Sequence, residues 1–346
     1  MEATLHAGDP RKLPRRALWL SGMGLGCAQL GGLYQAVGDA DARAIVDAAW
    51  DLGIRYFDTA PYYGYTLSER RLGAALRARP RDSYVLSTKV GRLMRPDPGV
   101  LPGESGWAEP LPFRPRYDYS YDGVMRSHED SLQRLGTDRV DILYVHDIGR
   151  ATHGELHAHY WEQLTLGGGF RALTQLRDEG AVGAIGLGVN EWQAVAEAME
   201  VCDLDCALLA GRYTLLEQAA ALPLLDRCAQ RGVGIVIGGP FNSGVLAGTR
   251  KFNYEDAPAH IVERVDAIAA VCARAGAPIQ AAALQFPMAH PAVVSCIPGA
   301  QSAAQLRQNA QWFAQALPAA LWQALAGRGL IDARAPTPAG ASGSTF

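Results

Sequence analysis

Residues 54–78 read IRYFDTAPYYGYTLSERRLGAALRA. The stretch opens on a short apolar, β-favouring run, IRYFDT (54–59), and passes through a tyrosine-rich turn. It then continues as LSERRLGAALRA (67–78), whose apolar residues recur at helical spacing. One strand, one loop and one helix therefore follow each other within twenty-five residues, and the same unit recurs along the chain.

Further strands are expected in GMGLGCA (22–28), YVLSTK (84–89), VDILYVH (140–146), VGAIGLG (182–188), CALLA (206–210), VGIVIGG (233–239) and VVSCIP (293–298). Helices are expected over 39–53, 67–78, 122–136, 161–180, 190–200, 216–232, 258–276 and 302–317, several ending in Leu-Gly or Arg-Gly. Eight strand–helix units with nearly continuous apolar strands predict a closed (β/α)8 TIM barrel over residues 1–333, with a loose tail over 334–346 that packs partly through Phe346. The competing arrangement is an open, doubly wound nucleotide-binding sheet. It requires a helix directly after a glycine-rich first turn, and GMGLGC has none.

The 346 residues are 49% hydrophobic and 19% charged, with a net charge of -3. No run reaches the roughly 18 apolar residues of a membrane span. Basic residues are scattered, which argues against a nucleic-acid partner. The first sixteen residues lack the apolar core of a signal peptide and read as a short ragged extension of a cytoplasmic protein. The six cysteines form no C-x-x-C pair and read as buried free thiols.

A barrel brings residues that close neighbouring strands to one mouth. Here these are Asp58 and the nearby Tyr63, Lys89, His146 and Asn190. Lys89 is one of only three lysines among thirty-two basic residues, so an ammonium at that strand end is a pointed choice. A Lys–Asp pair satisfies two buried charges, and an ammonium beside a phenol is expected to lower the tyrosine pKa toward neutrality. An imidazole alongside can orient the same oxygen. That set suits proton transfer coupled to hydride transfer, which needs a cofactor.

On these residues the chain resembles the aldo-keto reductase superfamily over nearly its whole length. The motifs are GIRYFDTAPYYG with Asp58 and Tyr63, LSTKVG with Lys89, and DILYVHD with His146. The resemblance implies a (β/α)8 barrel with a nicotinamide cofactor across the carboxyl face. It makes Tyr63 the acid/base, tuned by Asp58 and Lys89, with His146 orienting the substrate. LYVHDIGRATHG, GRYTLLEQ and GGPFNSGVLAG look like the bacterial L-fucose or D-threo-aldose 1-dehydrogenase branch, to which plant L-galactose dehydrogenase and a pyridoxal dehydrogenase are similar. An NAD(P)-dependent aldose 1-dehydrogenase, oxidising C1 of a free sugar to the lactone, is the leading expectation. A pyridoxal 4-dehydrogenase or a general NADPH-dependent carbonyl reductase is the alternative, and a nucleotide-binding sensor is a third reading.

The resemblance also implies the cofactor contacts. Asn190 matches the asparagine that holds the nicotinamide carboxamide, while Val189 replaces the serine common before it. Gly238 stands where many relatives stack an aromatic ring, with Phe241 as a candidate substitute. Gly239, Pro240 and the backbone of Asn242, Ser243 and Gly244 are expected along the pyrophosphate. Gly299 and Gln305 replace the lysine and arginine of NADP-preferring relatives, so NAD is preferred and NADP second, with Arg307 able to swing in. Ala300, with Gly299, is assigned to the neighbouring phosphate, and Gln308 and Asn309 to the adenine end.

Gln29, Tyr34, Trp107 and His153 are candidate substrate contacts. The long segment 91–120 reads as a cover over the substrate or as a surface insertion. His153, His157 and His159 lack the spacing of a metal site, and no metal is expected. The expected partner is a small sugar substrate, without nucleic acid or membrane, in a monomer or small homo-oligomer.

Overall fold

The computed structural model describes residues 5–338, so the expected packing of Phe346 lies outside the described residues. Eight strands form one parallel sheet: β1 (Leu25–Gly26), β2 (Tyr56–Asp58), β3 (Val85–Val90), β4 (Ile142–His146), β5 (Ala184–Val189), β6 (Cys206–Ala210), β7 (Gly234–Gly238) and β8 (Val293–Ile297). Every neighbouring pair is parallel and in sequence order. Parallel bridges Met23↔Cys296 and Gly26↔Gly299 join the first strand to the last and nearly close the sheet. The (β/α)8 barrel expected from the alternation is present.

The glycines of GMGLGC belong to that seam. A Cβ on Gly24 would lie 2.7 Å from Ile297 Cγ2 and 2.8 Å from Tyr56 Cδ1, so only glycine lets β1 approach both neighbours. The cluster thus serves barrel closure, and no doubly wound sheet is present.

Inward-facing Tyr56, Tyr144, Leu208 and Val236 fill the barrel, with Tyr56 and Tyr144 hydroxyls 3.2 Å apart. A larger core lies between the strands and the surrounding helices. Residues 10–16 of the expected extension are not ragged: Pro10–Lys12 pairs antiparallel with Trp19–Ser21. This hairpin pushes Leu13 and Leu20, both fully buried, into the inner cluster. A Cβ on Gly234 would meet Leu13 Cδ1 at 2.4 Å, so β7 begins with glycine where the plug enters. Arg16 Nε donates to buried Asp205 Oδ1 at 2.6 Å and ties the hairpin to the barrel floor.

Two expected helices are shorter than their sequence pattern. The 161–180 segment divides into His157–Leu164 and Gly169–Asp178, because Gly168 adopts φ +86° and Gly169 packs against the Tyr119 carbonyl. The 216–232 segment is helical only over Leu222–Arg231, with proline in its first turn. Before it, the Gln218 amide holds the carbonyls of Thr214 and Leu215 in a turn. Segment 91–120 contains an antiparallel ribbon, Arg92–Pro96 with Phe113–Tyr117. All six cysteines are free, and all but Cys202 are buried. Among the described residues no single helix is long and apolar enough to cross a membrane.

Leu13→Ala is expected to destabilise the protein by about 2–5 kcal/mol through loss of buried methyl groups and the cavity left behind. Urea unfolding followed by circular dichroism checks this, with half-exposed Trp19→Ala as the near-neutral comparison.

Candidate active site

Strand ends converge as the barrel requires. Asp58 ends β2, Lys89 lies one residue before the end of β3, His146 ends β4 and Asn190 follows β5. Lys89 Nζ donates to Asp58 Oδ2 at 2.7 Å, to the Thr59 carbonyl at 2.9 Å and to the Tyr63 hydroxyl at 3.1 Å. All three ammonium protons are thereby used. Ser87 Oγ donates to the other Asp58 oxygen at 2.7 Å. Lys89 and Asp58 are each 1% exposed. Gly188 on β5 makes room for the lysine stem, since a Cβ there would lie 3.0 Å from Lys89 Cε.

Tyr63 is held by a tight turn. Its amide donates to the Ala60 carbonyl, and its carbonyl accepts from the Ser68 amide. Gly31 packs so closely on it that a Cβ would lie 2.6 Å from the Tyr63 carbonyl carbon. Its ring lies 5.8 Å from Trp107 and 5.9 Å from His146, centroid to centroid.

Burial sets the protonation states. By itself it would favour a neutral Lys89 amine, but Asp58 and then Tyr63 outweigh it and raise the lysine pKa, so the group is an ammonium. Tyr63 does not follow the sequence expectation. Burial pushes its phenol above the usual value, Lys89 only opposes this, and Asp58 adds to the rise. The lysine is already partnered by a carboxylate, so its net pull on the phenol is weak. His146 is lowered well below the ordinary imidazole value by burial, then by Arg92 and Lys89, and is neutral. Its Nδ1 is buried without a hydrogen-bond partner, and its Nε2 lies 3.4 Å from Asp147 Oδ2.

Beside this centre lies a cleft of about 280 Å³, reached by Asp58 and Tyr63. Of the residues expected at a cofactor, Asn190, Gly239, Pro240, Phe241, Asn242, Gly244, Gly299, Ala300 and Gln305 line it. Gln29 and Tyr34 line it as well. Asn309 is buried behind the wall, its Nδ2 3.5 Å from the Gly299 carbonyl, and Gln308 is exposed and outside the lining. Arg307 points to Asp51 at 3.4 Å. Trp107 packs on Tyr62 and Tyr63 with its indole nitrogen unpartnered and also lies outside the lining.

His153 requires a correction as a substrate contact. Its Nε2 is 2.9 Å from the Tyr119 hydroxyl, which itself donates to the His146 carbonyl. Tyr117 and Tyr160 enclose the ring, and burial lowers its pKa to about 4. It packs behind His146, out of the cleft.

The loop at residues 239–244 forms one wall of the cleft. Gly239, Asn242, Ser243 and Gly244 have φ of +56°, +47°, +59° and +104°, a tight left-handed run in which the Asn242 and Gly244 amides donate to the Gly239 and Phe241 carbonyls. The Asn242 side chain is spent inward, accepting from Thr214 and donating to Gly211 and Glu217. No lysine or arginine is among the lining residues.

The model of the Aldo/keto reductase family matches residues 22–327. The chain belongs to the aldo/keto reductase family. Within it, the chain is 51% identical over 341 residues to a pyridoxal 4-dehydrogenase of Microbacterium luteolum, covering 95% of this chain and 99% of that protein. It is 42% identical over 330 residues to a D-threo-aldose 1-dehydrogenase of a Pseudomonas species, covering 93% and 96%. The holo structure of an aldo-keto reductase from Bacillus halodurans superposes with a TM-score of 0.71 at 25% identity, covering 96% and 98%. As a member of this family the chain is an NAD(P)-dependent oxidoreductase acting on small carbonyl or alcohol substrates.

Three groups at this aldo/keto reductase centre escaped the sequence reading. Arg92 NH2 donates to Asp147 Oδ2 at 2.6 Å, and the Tyr254 hydroxyl donates to Asn190 Oδ1 at 3.3 Å. An aspartate directly after a strand-closing histidine was the available signal for one of them.

Removing one partner of the buried pair leaves an uncompensated charge. Lys89→Met is therefore expected to cost roughly 3–5 kcal/mol of stability, and adding Asp58→Asn should restore most of it. Urea midpoints of the single and double variants measure this.

Proposed function

We propose that the chain is an NAD-dependent dehydrogenase of cyclic hemiacetals, with pyridoxal its foremost substrate. The observation that carries the reading is the Tyr63 hydroxyl, fixed 3.1 Å from the Lys89 ammonium at the cleft. The relative at 51% identity, a pyridoxal 4-dehydrogenase, supports it. Pyridoxal and a free aldose share one reacting group, the carbinol carbon of a cyclic hemiacetal, which loses a proton from oxygen and a hydride from carbon to become a lactone. The aldose reading is the second, supported by the relative at 42% identity.

When bound, the nicotinamide supplies the carbon that accepts the hydride. Tyr63 takes the hydroxyl proton, and Lys89 and Asp58 hold the phenol and balance its charge change. Neutral His146 hydrogen-bonds the reacting oxygen. Asn190 would hold the carboxamide, and the loop at residues 239–244 would lie along the pyrophosphate. NAD is favoured because the lining offers a 2′-phosphate no cation, forgoing charge-assisted bonds worth ~1.5–3 kcal/mol each. A cytoplasmic location belongs to the same proposal, supported by six unpaired cysteines.

The test is the initial rate of NAD and of NADP reduction with pyridoxal, L-fucose, L-galactose and D-arabinose. Pyridoxal-dependent NADH formation, reduced about 100-fold or more in Tyr63→Phe, is expected. A rate with sugars alone turns the conclusion to the aldose reading, and an unimpaired Tyr63→Phe refutes the proton role. The raised phenol pKa also fixes a sign. Oxidation needs Tyr63 ready to accept a proton, and its deprotonated fraction grows with pH throughout the range below its pKa. Log kcat/KM for oxidation should therefore climb with a slope of about +1 between about pH 7 and pH 9.

A further inference from the structure

Asp147 follows His146 at the barrel mouth, with φ +43°, and its amide donates to the Gly188 carbonyl at 3.0 Å. Its side chain is 14% exposed and meets three groups. Arg92 NH2 donates to Oδ2 at 2.6 Å, Asn190 Nδ2 donates to Oδ1 at 3.2 Å, and His146 Nε2 lies 3.4 Å from Oδ2. Arg92 is buried, and its guanidinium lies 4.1 Å from the Tyr62 ring centroid, so the ion pair is fixed on the side away from the cleft.

A carboxylate held by a guanidinium accepts hydrogen bonds and cannot donate them. Asn190 must therefore turn its NH2 toward Asp147 and its Oδ1 away. An amide's two ends are assigned from their partners, and here two partners agree. The carboxylate takes the NH2, and the Tyr254 hydroxyl donates to Oδ1 at 3.3 Å. Arg212 Nε, donating to the Asn190 carbonyl at 2.7 Å, fixes the backbone beneath. Asn190 and Tyr254 both line the cleft.

We infer that Asp147 is a positioning residue that locks Asn190 with its carbonyl oxygen toward the cleft, so that Asn190 accepts a hydrogen bond from the NH2 of the nicotinamide carboxamide. This rests on the reading of the cleft as the nicotinamide site. Val189 has no hydroxyl to add a second contact, so the orientation of this one amide decides how well the carboxamide is held. In Asp147→Asn the new amide keeps its oxygen on Arg92 and turns an NH2 toward Asn190. Asn190 then flips and presents an NH2 to the carboxamide's NH2, donor against donor.

Calorimetric titration with NAD and with ADP-ribose, which lacks only the nicotinamide, separates this from a structural role. In Asp147→Asn the Kd for NAD is expected to rise roughly tenfold, the equivalent of one lost hydrogen bond, with the Kd for ADP-ribose unchanged. The double variant Asp147→Asn/Arg92→Gln leaves no unpaired charge and no cation to hold the residue 147 oxygen, so it should recover part of the lost NAD affinity with the Kd for ADP-ribose still unchanged. Parallel weakening of both ligands, or no change in either, overturns the proposal. If the unsubstituted protein binds NAD no more tightly than ADP-ribose, the nicotinamide reading itself falls, and the positioning role with it.

Discussion

The buried ammonium of Lys89 is the constraint on which the barrel mouth depends. With 1% of its surface exposed, it tolerates no vacant donor, and its three protons go to a carboxylate, a backbone carbonyl and a phenol. Each partner comes from the second β/α unit, whereas the lysine comes from the third. Asp58 pairs in register with Ser87, and side chains two apart on a strand share a face, so Ser87 and Lys89 reach the same carboxylate from one side. A slip of one residue between these strands would turn Lys89 outward and strand Asp58 in the core. The ion pair thus enforces the register that the rest of the mouth inherits.

Burial and charge oppose each other at Tyr63 and Lys89 and reinforce each other at His146. Burial raises Tyr63 despite the adjacent ammonium and depresses His146 below its ordinary range, while Lys89 stays charged because its partners outweigh the loss of water. The sequence shows which groups meet. It does not show how much water they lose, and that omission is why the expectation of a near-neutral tyrosine failed. A phenol kept protonated is ready to donate in carbonyl reduction and must first be relieved of its proton for the proposed oxidation.

Strands were legible because parallel, twice-covered strands carry a dense apolar signal, and the polar residues that interrupt it mark the mouth. Asp58, Lys89 and His146 stood out for that reason. The N-terminal hairpin was not legible, since PRK and WLS carry too little alternation to announce a strand and their stability comes from Leu13 and Leu20 in the barrel floor. The break at Gly167–Gly169 was visible as glycines but was overridden by helical periodicity on both sides. His153 was misplaced because closeness in sequence to a strand end does not say which way a short helix turns its side chain. Arg92, Asp147 and Tyr254 come from three loops, and no local pattern reports that they meet.

The meeting of those loops joins two tasks. Arg92 opens the ribbon that spans segment 91–120, and between its strands the chain carries Trp107 against Tyr62 and Tyr63. The same guanidinium ends on Asp147, whose other oxygen holds Asn190 on the cofactor side. One ion pair therefore ties the 91–120 ribbon to the amide proposed for the cofactor. Such a pair loses much of its attraction with small displacement, because low-dielectric electrostatics reward only good geometry. Ribbon and amide are then held in one mutual position, and the Tyr63 hydroxyl has its own anchor, Lys89. A fixed spacing between donor carbon, acceptor carbon and acid/base is what hydride transfer demands, and in the proposed reading it rests on the Lys89–Asp58 and Arg92–Asp147 pairs.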